Sequence, residues 1–514
     1  MNANLYALFQ SRFPQDRSQT ALETATGNIY SYAALETTTA RYAGYIRALG
    51  VMPGDRIAVQ VEKSPEALFL YLACLQSGAV FLPLNSAYQE GEVDYFLGDA
   101  TPKVVVHQPK SEAWMRMLCN KYGIAHQFTL TEATEVNSGK VKHWCGSWHE
   151  NAMNASSMLE IANCTDNDLA TILYTSGTTG RSKGAMITHR NLSSNALTLH
   201  TYWGFKPGDV LLHTLPIFHV HGLFVACHTA LLNGSKMLFH SKFNAEATIA
   251  ALPRASVFMG VPTMYVRLLA ESTFSKECCE RIRLFVSGSA PLLSETFHAF
   301  RERTGHTILE RYGMTETGMI TSNPLIGERR GGTVGLPLPG IAVRVVDEEG
   351  RACVSGDIGG LQVKGDNVLT GYWQMPDKNK EEFTADGYFK TGDVGKIEAD
   401  GYVTIVGRSR DLVISGGYNV YPKEIELLLD EIAGVAESAV IGLPHPDFGE
   451  AVAAVIVKKP AADLVEADVM GAIKGKLAAF KLPKRVFLVD DLPRNAMGKV
   501  QKNELRKRYA DTFK

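Results

Sequence analysis

The first third of the chain alternates short apolar runs with stretches of helical spacing. Residues 56–61 and 79–84 are apolar runs of the length expected for buried strands. Between them, Ser64 followed by Pro65 predicts the start of a helix, which stops before Gly78. Because strands and helices keep alternating to about residue 312, the pattern predicts parallel α/β sheets.

Two further helix starts and one irregular segment are predicted in the same part of the chain. Ser31 is expected to cap a helix that begins at Tyr32 and ends at Gly50. Asn191 is expected to cap another helix. Residues 138–155 are polar and show no clear period, which predicts a surface excursion.

The pattern changes between residues 332 and 407. Apolar runs at 342–346, 360–364 and 401–406 are spaced by Gly, Asp and Pro, which favours an antiparallel sheet or a small β-barrel-like subdomain. Residues 408–411 lie between two expected strands and mark a junction. The remaining chain, with a helix starting at Pro422, is long enough for a small α+β domain. The predicted domains are therefore 1–409 and 410–514.

One loop combines glycines, hydroxyls and cations between two β-branched runs. It spans residues 174–184 and predicts two antiparallel strands with a long connection. Gly177, Gly180 and Gly184 permit close approach of the backbone to a ligand, and successive N–H groups can bind an anion. The loop is not a Walker A motif, because Lys183 precedes a glycine and a strand follows. Composition alone favours a polyphosphate site and a flexible polar loop about equally.

Composition and charge exclude several classes of protein. With 514 residues, 45% of them hydrophobic and a net charge of −2, the chain is expected to form at least two globular domains, and it offers no electrostatic case for nucleic acid. No apolar run approaches the length of a membrane helix, and no secretory signal is recognised. The eight cysteines form no C-x-x-C pair, which favours reduced thiols and a cytoplasmic location.

Four further motifs accompany the loop at 174–184: residues 310–317, 388–393, 407–419 and 492–499. In this order and spacing the set resembles that of the adenylate-forming superfamily, which includes acyl-CoA synthetases, carrier-protein adenylation domains and beetle luciferases. The resemblance covers nearly the whole chain. Residues 261–267 and 285–291 are most similar to malonyl-CoA synthetases. The resemblance implies adenylation of malonate by ATP and then transfer to coenzyme A, with methylmalonate also accepted if the pocket has room.

The resemblance also implies which residues act. Glu316 and Thr175 would hold Mg²⁺, and Asp393 would accept the ribose hydroxyls. The catalytic residues would be Lys499, Thr315, Glu316 and His221. The ATP-binding residues would be Thr175, Ser176, Gly177, Thr178, Thr179, Gly180, Lys183, Gly288, Ser289, Ala290, Glu310, Arg311, Tyr312, Gly313, Met314, Thr315, Asp393, Arg408 and Lys499.

The acid would lie against His221, Ser289 and Met314, with the guanidinium of Arg267 facing its distal carboxylate. Arg267 is expected about a turn and a half into a helix that begins at Pro262. For a lone arginine, a surface position is the more frequent outcome; the resemblance favours the pocket. His219 is interpreted as a packed core histidine, because no third ligand makes it part of a metal site.

The resemblance implies that the small α+β carboxy-terminal domain is a mobile lid, which would switch between the two half-reactions. Rotation at Arg410 would replace Lys499 with Gly416 and Gly417, which would line the passage for coenzyme A. A lysine acyltransferase acting on Lys499 is a possible partner, because acylation removes the charge.

Four alternatives stay open from the sequence. A nucleotide sensor would need neither Lys499 nor Glu316. A carrier-protein adenylation domain would normally belong to a multidomain chain. Luciferase-type oxidation shares the motifs, and a CoA ligase for another short-chain acid differs only in its pocket.

Overall fold

The structure, a computed structural model of the chain, describes residues 2–133, 136–137, 140–141, 146–175, 182–415, 418–474, 476–477, 479–495 and 498–513.

Strands and helices alternate up to residue 260. The strands there are β1 Thr20–Thr24, β2 Ile29–Ser31, β3 Arg56–Gln60, β4 Val80–Pro83, β5 Val104–His107, β6 His126–Thr129, β7 Val136–Asn137, β8 Lys140–Val141, β9 Leu169–Thr175, β10 Lys183–Thr188, β11 Val210–His213, β12 Lys236–Phe239 and β13 Val257–Gly260. The α-helices are α1 Leu5–Gln10, α2 Tyr32–Ala48, α3 Pro65–Ser77, α4 Glu90–Ala100, α5 Glu112–Lys121, α6 Ser147–Met153, α7 His189–Tyr202, α8 His228–Leu232 and α9 Ala245–Ala251. A π-helix, His221–Cys227, precedes α8.

The second half is richer in strands. They are β14 Leu284–Ser287, β15 Leu309–Met314, β16 Gly318–Ser322, β17 Leu336–Pro337, β18 Ala342–Val346, β19 Gly359–Lys364, β20 Gly371–Tyr372, β21 Phe389–Ile397, β22 Val403–Arg408, β23 Val413–Ser415, β24 Tyr418–Val420, β25 Val435–His445, β26 Gly449–Lys458 and β27 Arg485–Val489. The α-helices are α10 Pro262–Ala270, α11 Ser294–Thr304, α12 Pro376–Glu382, α13 Pro422–Asp430, α14 Glu466–Ile473 and α15 Lys502–Arg508. Short 3₁₀ turns are Pro109–Ser111, Leu252–Arg254, Glu277–Cys279 and Ser409–Asp411.

Two large sheets build the first part of the molecule. One has the strand order β20-β10-β9-β4-β3-β5-β6, and the other has the order β17-β16-β15-β14-β13-β11-β12-β1-β2. Strand β3 pairs in parallel with β4 and β5, and strands β11 to β15 pair in parallel with one another, whereas β15 and β16 are antiparallel. The predicted parallel α/β sheets are confirmed. At residues 174–184 the predicted antiparallel pair is also present, as β9 and β10.

The main core lies between these two sheets. Along β11, Leu211 faces this shared core, while the next residue, Leu212, faces a second core on the other side of the sheet. Helix α3 lies within the shared core, and all its residues are buried. Residues such as Ala58 of β3 face a third core together with α4 and α5. Alternation along the strands therefore produces stacked layers of helices and sheets.

Two smaller sheets complete the chain. Strands β18, β19, β21 and β22 form an antiparallel sheet in that order, at the place predicted for an antiparallel sheet or small barrel. Strands β23 to β27 and helices α13 to α15 form the carboxy-terminal α+β part, with β25 and β26 at its centre. No helix among the described residues has the length and hydrophobicity needed to cross a bilayer.

Most predicted helix boundaries are present. The Ser31 side chain accepts a hydrogen bond from the backbone of Ala34, and the Ser64 side chain accepts one from Ala67. Pro65 occupies the first turn of α3, and Gly78 ends the helix with a φ of +75°, which a residue with a side chain rarely adopts.

The helix predicted to be capped by Asn191 starts earlier. Thr188 is its N-cap, and the Asn191 side chain, three residues on, accepts a hydrogen bond from the Thr188 backbone N–H. Thr188 and Asn191 form a reciprocal cap, and both are residue types that cap helices, so the sequence alone does not show at which of the two the helix begins.

The surface excursion predicted for residues 138–155 is wrong for its second half. Residues 147–153 form α6, and the Trp148 ring is fully buried against the rings of Tyr42, Tyr45 and Phe128. A single large aromatic residue anchors this short helix, although the surrounding sequence is polar. Positions 138–139 and 142–145 lie outside the described residues.

Candidate active site

A cavity of about 860 Å³ is lined by residues from both parts of the chain. Its walls come from strands β9, β10 and β15, from the loop before the π-helix, from the start of β21 and from the end of β22. Residues 495 and 499–501 of the carboxy-terminal part close one side. The cavity therefore lies where the carboxyl ends of parallel strands meet an additional domain, a frequent position for ligand sites in α/β proteins.

Glu316 is the buried carboxylate of this cavity. It follows β15 and is 7% exposed. Its Oε1 accepts hydrogen bonds from the hydroxyls of Thr175, at 3.2 Å, and Tyr372, at 3.1 Å. Two strands of the seven-stranded sheet, β9 and β20, thus hold a carboxylate that follows β15 of the nine-stranded sheet.

Lys183 has lost most of its contact with water and has two partners. Its Nζ donates to Oε1 of Glu382 at 3.1 Å and lies 4.2 Å from the ring centre of Tyr372. Glu382 belongs to α12, which places an acidic side chain opposite the cation across the cavity wall. This ion pair keeps Lys183 in place at the first residue of β10.

Asp393 and its neighbours form a second polar group. The Tyr312 hydroxyl donates to Oδ2 of Asp393, and the guanidinium Nε of Arg408 lies 2.6 Å from its Oδ1. The Asp393 side chain is 4% exposed. Arg408 lines the cavity, whereas neither Asp393 nor Tyr312 does in this conformation.

His221 stands at the start of the π-helix and faces Ser289. Its Nδ1 and the Ser289 hydroxyl are 3.2 Å apart, and its Nε2 is buried without a hydrogen-bond partner among the described residues. Ser289 adopts a φ of +73°, which only few non-glycine residues do and which indicates a functional constraint. Burial, and then the charge of Arg311, hold the pKa of His221 well below its usual value, so the ring is neutral.

Arg311 is the buried cation of the cavity. The residue is 3% exposed, and its Nε and Nη2 have no hydrogen-bond partner among the described residues. Burial lowers the pKa of Arg311 to about 9, so the group stays charged at neutral pH. A Cβ added to Gly288 would lie 2.4 Å from Cζ of Arg311, so the guanidinium lies directly against the glycine backbone. An unpaired buried guanidinium is costly, and an anion entering the cavity would satisfy it.

Lys499 is presented by a tight turn of the carboxy-terminal part. Arg494 donates to the Gly498 carbonyl and pairs with Glu437, while the Lys499 backbone and Asn495 exchange hydrogen bonds. The Lys499 side chain lines the cavity. Burial first, then the charges of Lys499 and Arg311, lower the pKa of His219 to about 3.

Many residues predicted for the site therefore line one cavity. They are Thr175, Lys183, His221, Ser289, Arg311, Gly313, Met314, Thr315, Glu316, Arg408 and Lys499. His219, interpreted as a core histidine, also lines it. Several other predicted positions lie outside the described residues: Ser176, Gly177, Thr178, Thr179, Gly180, Gly416, Gly417 and the side chain of Arg410.

Arg267 does not reach the cavity, contrary to the prediction. The helix itself is confirmed as α10, with Pro262 at its first position. Tyr265 and Leu268 face the core, whereas Val266 and Arg267 are exposed. The helical period thus turns the guanidinium toward solvent.

Glu310 is also absent from the cavity wall. Its Oε1 accepts from the backbone N–H of Leu292 at 3.0 Å, and burial raises its pKa to about 8. It therefore positions the segment after Ser289. Gly288 and Ala290 do not line the cavity either, and the planar group that Gly288 contacts is Arg311.

Tyr372 and Glu382 belong to the site and were missed by the sequence reasoning. Glu382 and Lys183 are 199 positions apart. The only signal in the sequence is that a lysine starting a buried strand needs an acidic partner, and this signal does not say which acid.

Comparison with known proteins gives two family matches. The family of AMP-binding enzymes matches residues 9–373, and the AMP-binding enzyme C-terminal domain matches residues 424–499. ATP-bound MatB from Rhodopseudomonas palustris is 51% identical, with 100% of both chains covered and a TM-score of 0.95. The apo form of MatB gives a TM-score of 0.84 at the same identity and coverage.

Two curated relatives carry the names of CoA-forming enzymes. A malonate–CoA ligase from Arabidopsis thaliana is 37% identical over 503 residues, 91% of this chain and 80% of the relative. A feruloyl-CoA synthase from Amycolatopsis is 33% identical over 487 residues, 94% of each chain. The first family match alone covers more than half of the chain. The chain therefore belongs to the adenylate-forming family of AMP-binding enzymes, and within that family it is an AMP-forming acyl-CoA synthetase.

Proposed function

We propose that this enzyme is a malonyl-CoA synthetase. ATP and malonate would form malonyl-adenylate and pyrophosphate, and the thiol of coenzyme A would then displace AMP. The observation that carries this proposal is the buried cation of the cavity, Arg311, whose Nε and Nη2 have no partner among the described residues.

The second carboxylate of malonate is what Arg311 would bind. A guanidinium fork matches a carboxylate in two-point geometry. His221 and Ser289 add a neutral imidazole and a hydroxyl on the same side of the cavity. An acid with a single carboxylate would leave either this cation or the reaction centre without its partner, which predicts preference for a dicarboxylate. Methylmalonate would be accepted where space for one methyl group exists.

In adenylation, the reacting carboxylate attacks the α-phosphorus of ATP and pyrophosphate leaves. Lys499 would place its charge beside the α-phosphate and the acid, Lys183 would neutralise other phosphate charge, and Arg408 would contact the ribose or the phosphates. Thr315 would donate its hydroxyl to a phosphate. Phosphoryl chemistry needs mainly positioning and charge neutralisation, and these side chains converge on one cavity.

Glu316 and Thr175 have the chemistry that Mg²⁺ requires of its ligands. The Glu316 carboxylate and the Thr175 hydroxyl are hard oxygen donors at the cavity wall, 3.2 Å apart. Mg²⁺ often binds one or two carboxylates and completes its shell with water and phosphate oxygens. When bound there, the ion would neutralise phosphate charge.

The second half-reaction would use a rotated carboxy-terminal domain. The stronger similarity to ATP-bound MatB than to its apo form supports an adenylation arrangement here. Arg410 lies in the 3₁₀ turn Ser409–Asp411 between β22 and β23, where a hinge is expected. Gly416 and Gly417 would then line the passage for coenzyme A.

Regulation and location belong to the same proposal. Acylation of Lys499 by a lysine acyltransferase would remove the charge needed for adenylation. A cytoplasmic location is proposed from the sequence, and fractionation of cells that express the chain would test it.

A CoA ligase for another acid is the second candidate. The feruloyl-CoA synthase supports it, because it is 33% identical to this chain over most of both chains and yet carries the name of an aromatic acid. An aromatic acid would have to displace or cover the Arg311 charge.

Arg311→Met tests the dicarboxylate proposal. Methionine keeps volume but removes the charge. In a pyrophosphate-release assay, kcat/KM for malonate should therefore fall by an amount equivalent to roughly 2–5 kcal/mol of transition-state stabilisation. The advantage of malonate over propionate should shrink at the same time.

Arg267→Met is the matched control, because it removes the same group from the exposed face of α10. Its malonate kinetics should stay close to those of the unmodified enzyme. Loss of malonate activity in the Arg267 variant together with intact activity in the Arg311 variant would assign binding of the distal carboxylate to Arg267.

A further inference from the structure

The loop that carries the cavity histidines is closed by a hydrogen bond at its base. Residues 214–220 connect β11 to the π-helix and include His219, with His221 directly after them. His213, the last residue of β11, reaches across the loop, and its Nε2 lies 2.8 Å from the carbonyl of Gly222. This bond joins the residue before the loop to a residue just after it.

The loop at residues 214–220 is tightly packed against the π-helix. A Cβ on Gly222 would lie 2.0 Å from the carbonyl oxygen of Pro216, so the π-helix backbone touches the middle of the loop. His213 itself is 1% exposed. A change in the His213–Gly222 bond must therefore move the loop, because water has no room to replace it.

Lys63 contacts the His213 ring and the His213 carbonyl. Its Nζ lies 2.6 Å from Nδ1 of His213 and 2.8 Å from the His213 carbonyl, and it sits 4.2 Å from the Phe239 ring centre. Lys63 is 6% exposed and precedes α3. It thus ties the sheet containing β3 to the end of β11 in the other large sheet.

These contacts determine where the imidazole proton resides. The Gly222 carbonyl can only accept, so His213 Nε2 must carry the hydrogen. Burial and the neighbouring Lys63 hold the pKa of His213 well below its usual value, which keeps the ring neutral. Nδ1 is then the acceptor that Lys63 requires. The lysine selects the tautomer that closes the loop.

We propose that His213 and Lys63 are positioning residues for the acyl site: through the Gly222 carbonyl they hold the loop that presents His219 and His221 to the cavity. This inference rests on the proposed role of His221 in binding the acid. Neither residue lines the cavity, so both act through the loop.

Two variants of His213 distinguish a residue that positions the loop from one that only fills space in the core. Gln can place an N–H near the position of Nε2 and keep the bond to Gly222, whereas Asn reaches only the position of Nδ1 and loses it. In the full-length enzyme, His213→Asn should raise KM for malonate by ~10-fold or more, since small misplacements are costly, while KM for ATP changes about twofold at most. His213→Gln should restore KM for malonate to within about threefold of the parent value.

His107 supplies the matched control. It is also a buried histidine that ends a short parallel strand, with Nδ1 on the Gln108 carbonyl and Nε2 on Gln127, and it does not line the cavity. His107→Asn and His107→Gln should change thermal stability without separating KM for malonate from KM for ATP.

Lys63→Met serves where a His213 variant does not fold. It keeps volume and removes the donor to His213 Nδ1 and to the His213 carbonyl, so KM for malonate should still rise severalfold. Equal malonate KM for the His213 variants and the parent, or a parallel rise for both substrates, would overturn the proposal. If the parent enzyme itself fails to use malonate, the proposed function fails instead; the loop inference is then judged by the same Asn–Gln contrast with the acid the enzyme accepts.

Discussion

Among single residues, Lys499 offers the clearest test of the two proposed half-reactions. It is held in a turn by Arg494 and Asn495 and faces the cavity from the carboxy-terminal part. Lys499→Ala should slow adenylation by about 10²–10³-fold, the scale for losing one preorganised donor to developing charge. Conversion of supplied malonyl-adenylate with coenzyme A should change far less.

Lys507→Ala is the control for this prediction. Lys507 is an exposed lysine of α15 in the same part of the chain and does not line the cavity. Both half-reactions should keep their rates in this variant. Equal losses of the two half-reactions in Lys499→Ala would remove its assigned role.

At this scale the sequence was informative where chemistry is local. Thr175 and Glu316 lie in short motifs, and the structure brings them within 3.2 Å of each other. Arg267 and Arg311 were harder to distinguish, because burial depends on which face of α10 packs and on the space beside Gly288. Neither property follows from spacing alone.

At the scale of elements, the segment after β14 supports the residues of the proposed acid site. Gly288 lets Arg311 lie against its backbone, and Ser289 takes a left-handed conformation beside His221. Gly288→Ala should push the guanidinium aside, because the new Cβ would lie 2.4 Å from its Cζ. KM for malonate should rise by roughly tenfold or more, with a smaller effect on ATP.

Gly91→Ala is the corresponding control. This glycine lies in α4, and a Cβ there meets no atom within 4 Å. The substitution should leave kinetics unchanged and stabilise the fold by at most about 1 kcal/mol. Unchanged malonate kinetics in Gly288→Ala would contradict the contact between Gly288 and Arg311.

Elements were predictable where a short stretch sets the structure. The caps at Ser31 and Ser64, the β9–β10 pair and the start of α13 at Pro422 all follow from neighbouring residues. The ion pair of Lys183 with Glu382, and the contact of Lys63 with His213 across 150 positions, depend on how the sheets stack. Periodicity carries no information about such distant pairs.

At the scale of the whole molecule, the two parts of the chain meet at the cavity. A Cβ on Gly498 would lie 3.3 Å from the hydroxyl of Thr263, so the turn holding Lys499 rests against the start of α10. This contact must open if coenzyme A is to meet the adenylate through a rotated domain.

Arg410→Pro tests that rotation. Proline restricts φ in the turn between β22 and β23 and should trap one domain orientation, so that single-turnover assays show one half-reaction selectively depressed. Arg410→Ala keeps backbone freedom and should retain both. Unchanged rates for both steps in the proline variant would move the hinge away from Arg410.

Product identification by mass spectrometry shows directly which acid the enzyme joins to coenzyme A. Purified enzyme is incubated with ATP, Mg²⁺, coenzyme A and an equimolar mixture of malonate, acetate, propionate and ferulate. We predict malonyl-CoA as the dominant thioester, formed together with AMP, and its loss in the Arg311→Met variant. Dominant acetyl-, propionyl- or feruloyl-CoA, or malonyl-CoA formation that is unaffected by loss of Arg311, would contradict the account.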